Sequence, residues 1–132
     1  MPTDQELIRI VPSDRQLAYQ ETEFYAFFHF GMNTYTDREW GDGTEDPKLF
    51  NPAKLDADQW VAAVKSAGMK ALILTCKHHD GFCLWPSEYT DYNAAKHGPG
   101  RDLFGELTAA VRGEGLHMGA YYSGIIDWRY TK

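Results

Sequence analysis

A short apolar run followed at once by a dense polar run is the feature that most limits how this chain can fold. Residues Ala71–Cys76 read Ala-Leu-Ile-Leu-Thr-Cys, and the next six residues read Lys-His-His-Asp-Gly-Phe. Such an apolar run predicts a buried strand of a parallel sheet, and sites are built where such strands end. The polar run therefore predicts a functional site; the alternative is an ordinary polar loop after a core strand.

Two more strands and two helices flank this central strand. An aromatic run from Phe24 predicts a first buried strand that ends at His29, and residues His117–Tyr122 predict a third. Asp56 and Asp102 are predicted N-caps of two helices. The predicted buried positions are Trp60, Val61, Val64 and Ala67 in the first helix, and Leu103, Phe104, Leu107 and Val111 in the second.

The remaining segments are predicted to be less regular. Residues 1–12 are expected to be extended, and Asp14 is expected to cap a short helix over Arg15–Glu23 that turns Leu17 and Ala18 inward. Residues 32–55 are predicted to form one long loop. Residues 1–23 are therefore predicted to be a lead-in with a short helix, and residues 24–132 to be the folded unit.

The element order is strand, helix, strand, helix, strand. Two consecutive crossovers of this kind predict a parallel sheet with right-handed connections. The strands begin near residues 24, 71 and 117, a nearly constant spacing. The fold class is therefore α/β, and the spacing favours a barrel of repeated β/α units over a doubly wound sheet, which fits almost as well.

Polar and aromatic side chains end all three predicted strands. His29 ends the first, His78 and His79 the second, and Tyr121 and Tyr122 the third. In a parallel sheet these ends share one edge, which Glu39 and Trp40 of the long loop can also reach. Imidazoles that donate and accept hydrogen bonds, beside flat aromatic surfaces, are typical of a site for a sugar.

Zinc binding is the competing interpretation of the same stretch. Cys76, His78, His79 and Cys83 offer sulfur and nitrogen ligands within eight residues, but their spacing matches no common zinc motif. Adjacent side chains on a strand point to opposite faces, so His78 and His79 can share an ion only where the strand has bent. We predict no metal and no cofactor.

Charge and terminal sequence limit the partners. The net charge is −6, and no basic stripe is present to neutralise phosphates, so neither nucleic acid nor an anionic membrane is an expected partner. No apolar segment of 18 residues occurs. The N-terminus lacks the basic start and apolar run of a secretory signal, which predicts a cytoplasmic location.

Several motifs together resemble the α-L-fucosidases of glycoside hydrolase family 29, from about Pro12 onward. The Lys-His-His-Asp-Gly-Phe run is the most specific of them. The others follow in the family's order: Phe28-His29-Phe30-Gly31, Glu39-Trp40, Arg101-Asp102, Tyr121-Tyr122-Ser123 and Asp127-Trp128.

This resemblance implies the first three strands of a TIM-like (β/α)8 barrel, truncated here, and an exo-acting retaining enzyme that removes terminal α-L-fucose from glycans. The residues that it implies for binding fucose are His29, Glu39, Trp40, His78, His79 and Tyr121. The retaining mechanism needs two carboxylates about 5 Å apart. The family's nucleophile follows a fourth strand, so we expect both catalytic carboxylates beyond Lys132 and assign no catalytic residue here.

Three functions therefore stay open from the sequence. The first is the amino-terminal part of an α-L-fucosidase, inactive alone, with a fucosylated glycan as substrate. The second is a sugar-binding module without catalysis, and the third is a zinc-dependent barrel hydrolase. Oligomeric state is not predicted, and three barrel strands alone would leave two open edges and a marginally stable, aggregation-prone chain.

Overall fold

A computed structural model describes residues 1–9 and 11–130. The structure is a three-stranded parallel sheet with its longer helices on one face, which confirms the predicted α/β class. The elements in chain order are α1 (Asp4–Leu7), α2 (Asp14–Thr22), β1 (Ala26–Phe28), α3 (Met32–Thr36), a 3₁₀ turn (Pro47–Leu49), α4 (Ala57–Ser66), β2 (Ala71–Lys77), α5 (Leu103–Gly113) and β3 (His117–Tyr122).

The strands are ordered β1-β2-β3 and all pair in parallel. Ala26 pairs with Leu72 at one side of the central strand, and Ala71 pairs with His117 at the other. The first connection carries α4 and the second carries α5, as the sequence predicts for β/α units. The carboxyl ends of all three strands therefore lie at one edge of the sheet.

The core lies between the sheet and the two long helices. Asp56 caps α4 through Gln59 N (3.1 Å) and Asp102 caps α5 through Gly105 N (2.9 Å), which confirms both predicted caps. Ala67 is exposed, contrary to prediction, because α4 ends one residue before it. The fully buried aliphatic residues on the helices and β2 are Val61, Val64, Leu72, Leu74, Leu103, Leu107 and Val111.

The prediction that the first strand is buried throughout is wrong. The strand is only Ala26–Phe28, and of its residues only Ala26 is buried, whereas Phe27 is 51% exposed. Side chains alternate across a strand, and the helices cover only one face of this sheet. Phe27 therefore lies on the uncovered face, where its ring contacts Tyr121 across the central strand (5.9 Å between centroids).

The N-terminal residues differ from prediction in three respects. Residues 4–7 form α1 rather than an extended segment, because Thr3 and Glu6 make a reciprocal capping box. Ser13, not Asp14, caps α2, through Gln16. Leu17 and Ala18 are exposed, since no residue of α2 is buried. Ile10, Thr131 and Lys132, which the predicted segments 1–23 and 24–132 include, lie outside the described residues; that division stays a prediction.

The segment predicted as one long loop, residues 32–55, contains two short helical elements. Helix α3 follows directly after Gly31, and the 3₁₀ turn begins at Pro47, where Asp46 accepts a hydrogen bond from Lys48 N (2.9 Å). These elements are too short and polar to give a periodic signal. Phe50, which is fully buried against Phe82 (4.7 Å between centroids), ties the segment to the core.

Candidate functional site

Four of the six predicted binding residues meet at the carboxyl ends of the strands. The His29 ring, just after β1, lies 4.5 Å from the His78 ring, and the His78 and His79 rings stack at 4.1 Å (centroid distances). The Tyr121 ring, near the end of β3, lies 5.9 Å from that of His78. The chain thus forms a continuous wall of rings across all three strands.

Glu39 and Trp40 reach the same wall from the segment after β1. The Trp40 and His79 rings are nearly perpendicular (5.5 Å between centroids), and Trp40 is 54% exposed, so part of its ring surface is open to a ligand. Glu39 is exposed and lines an open cleft of about 310 Å³ together with His29. Tyr122, a further strand-end candidate, lies apart from this wall, beside Trp85 (6.1 Å).

A bend at the end of β2 lets two consecutive histidines stack. The register of β2 against β3 shifts between Thr75 and Lys77, and the strand ends at Lys77. His78 and His79 therefore belong to the turn rather than to the pleated strand, so the usual alternation of side chains no longer separates them. The bend also meets the condition that the sequence set for His78 and His79 to face one ion, so the zinc interpretation depends on the other groups present.

Thr75 holds the end of β1 beside the histidines. Its Oγ1 accepts from Phe30 N (3.0 Å) and donates to Phe30 O (2.8 Å), one residue after His29. Thr75 is buried, so both hydrogen bonds are shielded from water. Because these bonds fix the backbone next to His29, they set the position of its ring against His78.

His78 and His79 are held neutral. Burial, helped by the neighbouring His79, His29 and Lys77, lowers the pKa of His78 to about 4. Burial also lowers the pKa of His79, with Lys77 and His29 acting in the same direction. At neutral pH each ring therefore has one nitrogen that donates and one that accepts. Nδ1 of His79 contacts Ser123 and Nδ1 of His78 is buried, so each ring offers its Nε2 to a hydroxyl group.

Ser123 determines which nitrogen of His79 carries the proton. Ser123 Oγ donates its single hydrogen to Ile126 O (2.6 Å), and it lies 2.7 Å from His79 Nδ1. The hydroxyl can therefore only accept from Nδ1, which must be protonated. The neutral ring then presents the lone pair of Nε2 to a ligand.

A buried ionic layer lies beneath the ring wall. Lys77 Nζ contacts an Asp127 carboxylate oxygen (2.8 Å) and donates to Ser123 O (2.8 Å), which ties β2 to the turn after β3. Gly81, with φ +84°, lets the backbone of the Lys77–Phe82 run, the central motif, approach Asp127. A Cβ at Gly81 would lie 2.7 Å from Asp127 Oδ1. The layer thus supports the central motif from below.

Asp80 and Glu45 form a second buried group beside that layer. Asp80 Oδ1 accepts from Phe82 N (2.8 Å), and Glu45 Oε1 accepts from Asp42 N (2.6 Å). The other oxygen of each carboxyl is buried with no hydrogen-bond partner among the described residues. Burial, with the charge of Glu45 acting in the same direction and Lys77 opposing, raises the pKa of Asp80 to about 6.

The zinc interpretation finds little support in the geometry. Within residues 1–9 and 11–130, no three His, Cys, Asp or Glu side chains are grouped to hold a metal ion. Cys76 and Cys83 are buried free thiols, and Cys76 Sγ donates to Tyr121 O (3.0 Å). Burial raises the pKa of both thiols, that of Cys83 to about 11, which disfavours the thiolate that zinc requires.

Three residues to which the sequence analysis assigned no role contact the site. Asn33 donates to the backbone just before Trp40, Ser123 contacts His79, and the Trp128 ring stands 6.2 Å from that of His79. Trp128 N also donates to His79 O (2.8 Å). Ser123 and Trp128 stand in the quoted family motifs, which were the available signal, whereas nothing in the local sequence indicates the contact of Asn33.

None of the helices in residues 1–9 and 11–130 is long and apolar enough to cross a membrane.

Comparison with known proteins identifies the class of protein to which this fold is similar, the glycoside hydrolases. The model of the alpha-L-fucosidase family matches residues 18–132, so the chain belongs to that family. It is 49% identical over 117 residues to Alpha-L-fucosidase 1 of Arabidopsis thaliana, an alignment that covers 86% of this chain. The chain spans 23% of the length of that relative.

Solved structures give the same result. A glycoside hydrolase 29 family member from an unknown rumen bacterium is 50% identical to this chain, with a TM-score of 0.81. The alignment covers 85% of this chain and 21% of that structure's chain. The Thermotoga maritima alpha-fucosidase in complex with fucose is 36% identical to this chain, with a TM-score of 0.75. That alignment covers 86% of this chain and 35% of the Thermotoga chain.

Proposed function

We propose that this chain supplies the fucose-binding wall in the active site of an exo-acting, retaining α-L-fucosidase. One observation carries the proposal: in a chain of this family, three imidazoles, an indole and a phenol from separate segments converge at the carboxyl edge of one parallel sheet. Such an edge is where barrel enzymes bind their substrates.

Each residue of the wall has a role that its chemistry suits. The rings of His29, His78 and His79 exchange hydrogen bonds with sugar hydroxyls, and His79 accepts through Nε2. Glu39, across the cleft from His29, accepts from a further hydroxyl. The exposed face of Trp40 packs on the apolar face or methyl group of fucose. Contacts of this kind strengthen as the sugar flattens in the transition state.

Tyr121 completes the wall at the third strand. Its ring contacts those of both His78 and Phe27, so it joins the site residues of β2 to the uncovered face of the sheet. The hydroxyl of a tyrosine can bond a sugar oxygen while its ring stays packed. The six proposed binding residues are His29, Glu39, Trp40, His78, His79 and Tyr121.

The proposal extends to the architecture and the substrate. We infer that the three strands are the first three of a (β/α)8 barrel. Two observations support this inference: the chain spans only 23% of the length of its Arabidopsis relative, and one face of the sheet, which bears Phe27 and Ile73, is not covered by helices. The catalytic carboxylates then come from further strands. The substrate class is a glycan with terminal α-L-fucose, and the Thermotoga relative was solved with fucose.

Hydrolysis of an aryl α-L-fucoside tests the proposal. The assay compares this chain with the longest open reading frame that contains it, and we expect turnover in the longer form. Replacing His78 with Phe keeps a ring but removes its hydrogen bonds, and we expect kcat/KM to fall at least about 100-fold. His117→Phe is the matched control, because His117 is exposed at the opposite end of the same sheet.

Other outcomes would favour the alternatives. Fucose binding without hydrolysis in the longer form would support a sugar-binding module. One equivalent of zinc, lost on replacement of His78, would support a metal-dependent hydrolase. Equal loss of activity in His78→Phe and His117→Phe would contradict the location of the site.

A further inference from the structure

Asn33 makes an unusual double contact with the segment that carries Trp40. It lies on α3, four residues after His29, and its Nδ2 donates to Arg38 O (2.9 Å) and to Glu39 O (2.6 Å). Both partners are carbonyl oxygens, which can only accept. The amide nitrogen must therefore face them, so the orientation of this side chain is fixed by its partners.

These two bonds hold the backbone on both sides of Glu39. The carbonyl of Arg38 belongs to the peptide plane before Glu39, and the carbonyl of Glu39 belongs to the plane that leads into Trp40. One planar amide that binds both carbonyls therefore restricts both planes at once. The Glu39 side chain and the Trp40 ring take their directions from these planes.

The other contacts around Glu39 and Trp40 are weaker. Arg38 and Asp42 form an ion pair (2.9 Å) whose side chains are both more than half exposed, and such pairs contribute little. Trp40 itself is 54% exposed and touches His79 only through an edge. Asn33, which is partly buried, is thus the main side-chain anchor for this part of the site.

Packing alone does not favour asparagine at position 33. Its Oδ1 is buried and has no hydrogen-bond partner among the described residues. An unpaired buried acceptor is costly, and a leucine would fill similar space without that cost. The benefit that offsets the cost is the double donation to Arg38 and Glu39.

We propose that Asn33 is a positioning residue that fixes the Glu39–Trp40 pair against the histidine wall and thereby sets the affinity of the site for its sugar. Its effect on the sugar rests on the proposed function, whereas its effect on the backbone does not. The two effects can be measured separately.

The ligand-free test is cleavage by trypsin after Arg38. Asn33→Asp keeps the size of the side chain but replaces the donor with an acceptor that faces two carbonyl oxygens. We expect cleavage after Arg38 to accelerate about 10-fold or more, since two hydrogen bonds are lost, while cleavage after Lys65 and Lys70 keeps its rate. Asn51→Asp makes the same chemical change at an exposed position outside the site, and we expect no acceleration.

The test with ligand is the division between KM and kcat for an aryl α-L-fucoside, in the longest reading frame that contains this sequence. We expect KM to rise about 10-fold in Asn33→Asp, with kcat nearly unchanged and Asn51→Asp like the wild type. If cleavage rates rise at every site, Asn33→Asp has unfolded, and Asn33→Ala, which adds no charge, replaces it in both tests.

The outcomes separate this inference from the proposed function. A wild-type protein that neither binds nor hydrolyses the fucoside overturns the proposed function, and trypsin cleavage still decides the anchoring. Cleavage after Arg38 at the wild-type rate in the Asn33 variants overturns the anchoring. Faster cleavage with an unchanged KM overturns the role of Asn33 in sugar affinity.

Discussion

Asp80 holds its proton to a higher pH than His78 does, although a carboxyl is ordinarily much the stronger acid. The pKa of Asp80 is raised to about 6 and that of His78 is lowered to about 4, in both cases chiefly by burial. Between about pH 4 and pH 6, the carboxyl of Asp80 and the imidazole of His78, two residues apart in the chain, are therefore both neutral. Burial thus keeps these two groups uncharged in this pH range, whereas the neighbouring Lys77–Asp127 pair is ionic.

The two groups should act on stability in opposite directions as pH changes. As pH rises, Asp80 keeps its proton in the folded chain after the unfolded chain has released it. The contribution of Asp80 to the free energy of unfolding is therefore full below about pH 4 and is lost as pH rises to about 6. As pH falls, His78 takes up a proton in the unfolded chain before it does so in the folded chain. The contribution of His78 to the free energy of unfolding is therefore full above about pH 6.5 and is lost as pH falls to about 4.

Urea unfolding at several pH values between 4 and 7 tests this opposition. We expect the free energy of unfolding of Asp80→Asn to rise with pH more steeply than that of the wild type. For His78→Gln we expect the opposite change, a profile that falls relative to the wild type as pH rises. Identical slopes for all three proteins would contradict the assignment of these titrations.

Ser123→Ala should change the protonated nitrogen of His79. Without the hydroxyl, Nδ1–H loses its acceptor, and the tautomer with hydrogen on Nε2 becomes populated. We expect KM for an aryl α-L-fucoside to rise about 10-fold, which corresponds to one hydrogen bond. Nitrogen-15 chemical shifts of the His79 ring report the tautomer directly.

Ser66→Ala is the control for that experiment. Ser66 is exposed on α4 and donates to Ala63 O (2.8 Å), so the variant also loses one hydroxyl hydrogen bond. Its KM should match that of the wild type. Retention of the wild-type His79 tautomer in Ser123→Ala would show that another group holds Nδ1.

Thr75→Val should loosen the position of His29. Valine fills the space of threonine but removes the hydroxyl that bonds both backbone groups of Phe30. Burying those groups unpaired costs roughly 1–3 kcal/mol of the free energy of unfolding. We expect that loss in urea unfolding, together with a raised KM. Thr75→Ser keeps the hydroxyl and should keep the wild-type KM; an equal KM in both variants would contradict the role of the hydroxyl.

Gly81→Ala should destabilise the protein more than Gly68→Ala does. Both glycines have positive φ, +84° and +76°, so alanine is strained at either position. A Cβ at Gly81 would also lie 2.7 Å from Asp127 Oδ1, whereas no atom lies within 4 Å of one at Gly68. The difference between the two unfolding free energies measures this close approach, and we expect it to be about 1–3 kcal/mol. Equal losses would show that Asp127 moves aside freely.

The sequence by itself determined the order of elements, the parallel sheet and the helix caps at Asp56 and Asp102. It also indicated the family through the run from Lys77 to Phe82. These features depend on local patterns: apolar runs, helical spacing and capping side chains act within a few residues. The pattern of strand ends placed the six proposed binding residues at one edge, and the family resemblance implied that they bind fucose. The structure brings them to that edge, although their role in binding is still a prediction.

Only the tertiary structure decided what covers each face and what supports each site residue. The exposure of Phe27 depends on helices that pack on the other face of the sheet, which no pattern in the aromatic run reports. The contact of His79 with Ser123 joins residues 44 positions apart, and that of Thr75 with Phe30 joins residues 45 apart. Such pairs form because the parallel pairing of three strands brings their ends together, and that pairing is a property of the folded chain rather than of any segment.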